Sequence, residues 1–263
     1  MANMSGHSKW STIKHKKALN DAKKGKVFSK ISTQITHAAR EGGGDPDMNP
    51  TLRVYIDKAR EAGFPANNVE KAILKGTGEG SESVIYDNSS YEGFGPSNIQ
   101  IVVDTLTDNK NRTVAELRRL FEEIGGNMGT EGSVSWNFDV KGLIIIKCGH
   151  MEETEKFGED DIFVEEDVEE VMLNIMDLEG VLDIQEITLN KNKGLEVYTE
   201  YDKFASVRDS IDSMNYIIKE AELIKEAKTR EKLSGEELEK AKEALERLDD
   251  HDDVQSVWSN LDI

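Results

Sequence analysis

The 263-residue chain holds one cysteine, four prolines and 6% aromatic residues, and its basic residues, 33 against 52 acidic, are outnumbered enough to give a net charge of −19. Each shortage removes a class of protein. Cys148 alone closes no internal disulfide, and a structural zinc site needs four ligands where the lone pair Cys148 and His150 offers two. The longest apolar runs, such as 101–103 and 143–146, fall far short of the roughly 20 residues that span a bilayer. A polar, basic N-terminus without an apolar leader-like stretch, together with the single thiol, points to a reducing, cytoplasmic setting.

Motifs that announce catalysis are missing as well. There is no Walker A sequence, and Gly76-Thr77-Gly78-Glu79-Gly80 follows a helical pattern where a dinucleotide loop must follow a strand. No G-x-S-x-G elbow occurs, and the five histidines lack metal-ligand spacing. Asp249-Asp250-His251-Asp252-Asp253 packs carboxylates into a turn without the alternation and central glycine of a calcium loop. The expectation is a non-enzyme with no catalytic residue, no metal and no cofactor. A hydrolase or RNA-modifying enzyme using the loops at 91–96 and 108–113 is the reading from another class.

What is present is segregated charge. Residues 1–30 carry eight Lys and one Asp, net +7, which leaves −26 for the rest. Fields reach only about 8 Å at physiological salt, so a partner meeting the first thirty residues senses local positive charge. Lys9, Lys14, Lys16, Lys17, Lys23, Lys24, Lys26 and Lys30 offer charges for phosphates, with Trp10 and His15 as flat surfaces among them. Arg40, Arg53, Lys58 and Arg60 on the following helices could extend that patch. The opposite extreme is 151–190, where fifteen acidic residues face Lys156 alone, read as a solvated acidic face or a dock for a basic partner.

Periodicity supplies the coarse fold. Residues 9–24 permit a helix; from 27 the apolar positions Phe28, Ile31, Ile35 and Ala38 recur at helical spacing until Gly42-Gly43-Gly44. Asn49 and Pro50 predict a capped helix start, and Asn67 with Glu70 predicts a capping box. The first 80 residues therefore read as all-helical. The period then shortens: strands are expected at 84–86, 99–106, 133–138, 143–147, 184–188, 195–201, 216–224 and 254–258, and 93–98 as a loop. Helices are expected at 113–124, 165–176, 203–214 and 234–248, the last from a capping box at Ser234 and Glu237. The class is α+β. Tyr86, Tyr91 and Phe94 gather beside glycines and read first as packing, and Leu143 and Ile145 occupy the places where an RNA-binding sheet needs aromatic rings, so that strand reads as core.

Ser5-Gly6-His7-Ser8-Lys9-Trp10, Asp21-Ala22-Lys23-Lys24-Gly25-Lys26, Gly42-Gly43-Gly44-Asp45-Pro46-Asp47, Tyr91-Glu92-Gly93-Phe94-Gly95-Pro96, Thr107-Asp108-Asn109-Lys110-Asn111-Arg112-Thr113, Gly125-Gly126-Asn127-Met128-Gly129 and Asp252-Asp253-Val254-Gln255-Ser256-Val257-Trp258 together resemble the YebC/PmpR family. Phe94 departs from a usual Tyr, and Ser97-Asn98 from a Gly-rich pair. The family begins near the Met-Ser-Gly-His equivalent, which makes Met4 an alternative start. The resemblance implies a helical domain, 1–80, and two small ferredoxin-like α+β domains, one (133–213) inserted in the other (81–132 plus 214–263). It also implies a transcriptional regulator that binds DNA; relatives that include a mitochondrial translational activator look like translation factors acting at the ribosome, so ribosomal RNA is the alternative partner. No clear helix-turn-helix is found for major-groove reading. No membrane partner is expected, and the oligomeric state is left open, with a monomer as the default.

Overall fold

The computed structural model describes residues 21–79, 85–152, 162–189 and 192–262, the side chains of 21–23 excepted. Three helices open it: α1 (Asp21–Gly42), α2 (Pro50–Glu61) and α3 (Ala66–Thr77). Gly43, at φ +88°, ends α1 as the glycine run predicts, its N–H reaching the Ala39 carbonyl at 2.9 Å. Asn49 caps α2 by accepting the Leu52 N–H at 3.0 Å, with Pro50 in the first turn. The capping box at Asn67 does not form: the helix already starts at Ala66, behind Pro65, and no side chain caps it. Phe28 and Phe64 meet edge-to-face at 5.2 Å.

Next come β1 (Asp87–Phe94), β2 (Gln100–Thr107), α4 (Lys110–Glu123) and the short β3 (Asn127–Met128). After them β4 (Phe138–Lys147), the hairpin β5 (Gly149–Glu152) and β6 (Ile162–Glu165), α5 (Val168–Met176), β7 (Val181–Leu189), β8 (Asn192–Glu200), α6 (Phe204–Ser213) and β9 (Ile217–Ala227) follow. The chain closes with α7 (Gly235–Asp249) and β10 (Val254–Ser259).

Two four-stranded sheets result. One runs β10-β2-β1-β3, with β1 and β10 antiparallel to β2 and β3 antiparallel to β1. Its strands come from both before and after the whole of the other sheet, β7-β8-β4-β9, so the second α+β module is nested in the first. The nested module has the β-α-β-β-α-β order of a ferredoxin-like fold, with β5 and β6 as an added hairpin. Two cores match the two sheets. Leu117 and Phe121 of α4 and Ala241, Leu245 and Leu248 of α7 pack on Ile101, Val103 and Val257. Val171 and Ile175 of α5 and Val207 and Ile211 of α6 pack on Ile144, Ile146, Leu195 and Val197.

The chain separates into two compact units, 1–44 with 59–139 and 225–263, and 45–58 with 140–224. Most of α2 thus groups with the nested module. Val54 enters that core, Arg53 Nη1 lies 2.6 Å from Asp212 Oδ1, and Arg208 Nη1 donates to Thr51 Oγ1 at 2.7 Å.

Several expectations are corrected. The strand placed at 84–86 lies at Asp87–Phe94, residue 84 being outside the described residues; Gly93 and Phe94, expected in a loop, pair with Ile101 and Gln100. The sequence DNSSYEGF has little strand propensity, and its pairing is imposed by the apolar β2 beside it. Residues 133–137 do not form a strand, which begins only at Phe138: a turn leads into a single-turn 3₁₀ helix, Ser135–Asn137, because a buried carboxylate described below takes the backbone N–H groups a neighbouring strand would use. Helix α5 starts at Val168, since Asp167 caps it by accepting from the N–H groups of Glu169 and Glu170. Ser234 precedes α7 without a side-chain cap, and Gly235 sits at φ +58°. Between β1 and β2, Ser97 (φ 54°) and Asn98 (φ 63°) are both left-handed, which explains why a glycine pair suits this turn.

Candidate nucleic-acid interface

Of the cationic positions expected to meet phosphate, Lys9, Trp10, Lys14, His15, Lys16 and Lys17 lie outside the described residues, and Lys23 is described by its backbone alone. Lys24, Arg40 and Arg60 are exposed. Lys26 and Lys30, one turn apart on α1, reach the end of α7: Lys30 Nζ donates to the Asp249 carbonyl at 2.6 Å and Lys26 Nζ to the Asp250 carbonyl at 2.9 Å. The Asp249 carboxylate adds an ion pair to Lys30 at 3.4 Å. Ammonium groups at a helix C-terminus meet the negative end of its dipole and its unpaired carbonyls, so these two lysines hold the fold together. Arg53 pairs with Asp212 and also donates to the Pro46 and Asp47 carbonyls, and Lys58 pairs with Glu220 at 3.6 Å. Arg53 and Lys58 belong to the unit holding the nested module, while Lys26 and Lys30 belong to the other.

A groove of about 600 Å³ beside Lys26 carries both charge signs. Arg112, Arg119 and His251 line it, but Glu116, Glu123, Asp250, Asp252 and Asp253 outnumber them, so it is no funnel for a polyanion. Glu116, His251 and Asp253 place ligand-type atoms within 4.8 Å of one another. Arg112 already binds Asp253, however, and His251 Nδ1 accepts the Asp253 N–H at 3.2 Å, leaving Nε2, 3.1 Å from Glu116, as its remaining nitrogen.

The motif residues gather into joints. Asp253, just before β10, accepts from Arg112 Nη2 at 3.0 and 3.1 Å, Thr113 Oγ1 at 2.7 Å and Thr107 Oγ1 at 3.1 Å. Asn109 caps α4 by accepting the Arg112 N–H at 3.1 Å. One carboxylate thereby ties the end of β2, the start of α4 and the entry to β10. Burial alone would push the Asp253 carboxyl up; the hydrogen bonds from Thr113, Arg112 and Thr107 outweigh it and hold that carboxyl below its usual value.

Glu92 of β1 is the second joint. It is 8% exposed and accepts the N–H groups of Val134 at 2.7 Å, Gly132 at 2.8 Å and Ser135 at 2.9 Å. Burial opposes its charge, but the three backbone donors prevail and lower its carboxyl from the ordinary value. Close backbone approach accounts for the neighbouring glycine: a Cβ on Gly126 would stand 2.0 Å from the Phe94 carbonyl oxygen. Tyr91 packs against the first core, and Tyr86 receives the Lys75 ammonium at 5.7 Å from its ring centre.

Chemistry of the enzymatic kind finds little to work with among the described residues. Ser90 and Lys225 lie 3.0 Å apart, which resembles a nucleophile with its base, yet both bind the Asp104 carboxylate, which also accepts the Trp258 indole N–H at 2.6 Å. Cys148 is fully buried, and burial pushes its thiol up to about 11, away from a reactive thiolate. His150 pairs with Glu166 at 2.6 Å, the hydrogen bond that raises its titration above the ordinary histidine value. Among the described residues no helix is long and apolar enough to cross a membrane.

One exposed side chain escaped the sequence reading. Trp136 stands 61% exposed within a tightly bonded segment, and no local pattern in the sequence marks it.

Comparison with known proteins covers nearly the whole chain. The family model described as "TACO1/YebC protein N-terminal domain" matches residues 8–79, and "TACO1/YebC second and third domain" matches residues 86–261. A probable transcriptional regulatory protein of Dictyoglomus turgidum is 44% identical over 260 residues, which are 99% of this chain and 96% of that one. Relatives with the same description from Trichlorobacter lovleyi and Geobacter sulfurreducens are 43% and 42% identical, again over 99% of this chain and 96% of theirs. The crystal structure of a conserved hypothetical protein from Aquifex aeolicus superposes with a TM-score of 0.72 at 32% identity, covering 97% of this chain and 96% of that one.

Proposed function

We propose that this chain, which belongs to the TACO1/YebC family, is a DNA-binding regulator of gene expression that grips phosphates through its basic N-terminal segment and acts without catalysis. The observation that carries the reading is the division of charge: +7 within residues 1–30 against −26 elsewhere. Relatives described as probable transcriptional regulatory proteins support the DNA target. Phosphate contact is assigned to Lys9, Lys14, Lys16, Lys17, Lys23 and Lys24, with Arg40 and Arg60, exposed on the helices that follow, adding to it, while Lys26, Lys30, Arg53 and Lys58 bond to Asp250, Asp249, Asp212 and Glu220. The acidic remainder of the surface disfavours further phosphate contact, so the phosphate grip falls to that segment.

The test is the salt dependence of binding. Log affinity for duplex DNA falls with log salt by about 0.9 per neutralised phosphate. Replacing Lys16, Lys17, Lys23 and Lys24 by Ala flattens that slope by about three to four units if each lysine covers one phosphate. An unchanged slope overturns the assignment. In-cell crosslinking read on DNA and RNA together checks the target: promoter enrichment supports the proposal, and enrichment confined to ribosomal RNA replaces DNA with the ribosome.

A further inference from the structure

Trp136 presents an indole to solvent from a segment with almost no freedom to move. Val134 at 0% exposure, Asn137 at 1% and Phe138 at 7% anchor the chain on either side of it, while Ser135 is exposed. The Asn137 side chain closes a two-way bond with Thr229, donating to its carbonyl and accepting its N–H, both at 2.9 Å. Upstream, Glu92 holds the Val134 and Ser135 amides, and downstream the Lys228 ammonium donates to the Trp136 carbonyl at 3.1 Å. The indole N–H is already spent on the Ser133 carbonyl at 3.1 Å, which fixes the ring and leaves its π faces as what it offers a partner.

A large apolar ring held open to water in one orientation is pre-organised for contact, because binding has little rotamer freedom left to remove. The other exposed residues of 130–139 are Thr130, Glu131, Gly132, Ser135 and Asp139, and Lys228 pairs with Asp139 at 3.1 Å. A protein hot spot sits in a well-packed apolar surround; a ring flanked in sequence by Thr130, Glu131, Ser135 and Asp139 suits a flat polar ligand that stacks.

We infer that Trp136 is a stacking platform for an unpaired nucleobase, a second contact that adds base affinity to the phosphate grip of the N-terminal segment. This rests on the nucleic-acid reading above. Every base has a π face, so the platform selects unpaired over paired bases without reading sequence.

The experiment measures the full-length protein against a labelled single strand, an abasic strand of equal length and charge, and the matching duplex, with DNA and RNA versions of the single strand. Wild type is expected to favour the base-bearing strand over the abasic one by about 5- to 150-fold, in DNA, in RNA or in both. Trp136→Ala and Trp136→Leu are expected to abolish that preference with the salt slope and melting temperature unchanged, and Trp136→Phe to keep most of it. A preference that survives in the Leu variant, or wild-type binding that ignores the bases while keeping its salt slope, overturns the platform and leaves the phosphate grip standing. Failure of wild type to bind any strand or the duplex overturns both.

Discussion

Arg112 and Asp253, 141 residues apart, meet so that one guanidinium nitrogen contacts both carboxylate oxygens, at 3.0 and 3.1 Å. Arg112 opens α4 and Asp253 leads into β10, so the pair joins the start of the first α+β module to its return after the nested one. The arginine side chain is 43% exposed and the aspartate 14%, which places the contact at the margin of burial, where the hydroxyls of Thr107 and Thr113 decide its worth.

That arrangement fixes a pH dependence. The folded Asp253 carboxyl titrates below its ordinary value, so the unfolded chain binds the proton more readily as pH falls. The stabilisation is complete above the unfolded value of about 4 and disappears as pH drops through the folded value. Asp253→Asn is expected to lower stability by about 1–3 kcal/mol at pH 6 and to lose less than wild type between pH 5 and 3. Urea midpoints across that range measure it, and parallel curves for the two proteins would refute it.

Glu92 makes a sharper local claim. Its carboxylate answers three backbone donors of one turn, those of Gly132, Val134 and Ser135, and Gln offers one oxygen and an NH₂ that opposes them. Glu92→Gln is expected to cost about 1–3 kcal/mol and to accelerate amide exchange at Gly132, Val134 and Ser135 beyond the rest of β1. Uniform acceleration across the sheet would mean that the residue stabilises the fold without pinning this segment.

The helices were the legible part of this sequence, because a 3.6-residue apolar repeat is local. The helix expected at 113–124 is α4, starting three residues earlier where Asn109 caps it. Strand β1 lies beyond the place that residue pattern gives it, since its polar residues take their conformation from β2, and the hairpin of β5 and β6 falls at an acidic stretch that shows no alternation. The candidate site was legible only as charge. Lys26 and Lys30 look like phosphate ligands in sequence, and the partners that occupy them lie 224 and 219 residues away, beyond any local pattern. Trp136 was unreadable for a related reason, since its exposure depends on Asn137 and Thr229 closing a bond across 92 residues.

Two glycines test helix packing with opposite signs. On Gly76 of α3 a Cβ would stand 2.3 Å from the Thr36 carbonyl and 2.9 Å from the Ala39 Cβ, where α1 and α3 touch. On Gly25 of α1 it meets nothing within 4 Å. Gly76→Ala is expected to destabilise by about 1–3 kcal/mol despite the better helix propensity, and Gly25→Ala to stabilise by up to about 1 kcal/mol. Thermal melts of the two variants decide it; a stabilising Gly76→Ala would show that the helices separate at little cost.

The lysines of α1 separate structural cations from functional ones. Lys30 has an 18% exposed side chain, a carbonyl at 2.6 Å and a carboxylate at 3.4 Å, all at the C-terminal end of α7. Removing its charge takes a charged donor from the Asp249 carbonyl and leaves less counter-charge at the negative end of the helix dipole. Lys30→Ala is therefore expected to destabilise by about 1 kcal/mol while the salt slope of DNA binding changes by less than one phosphate's worth, about 0.9. Lys16→Ala with Lys17→Ala should do the reverse, flattening the slope by nearly two such increments with melting unchanged. Equal flattening by Lys30→Ala would show that nucleic acid draws this lysine away from Asp249, and the acidic turn after α7 would then compete with phosphate for the same ammonium.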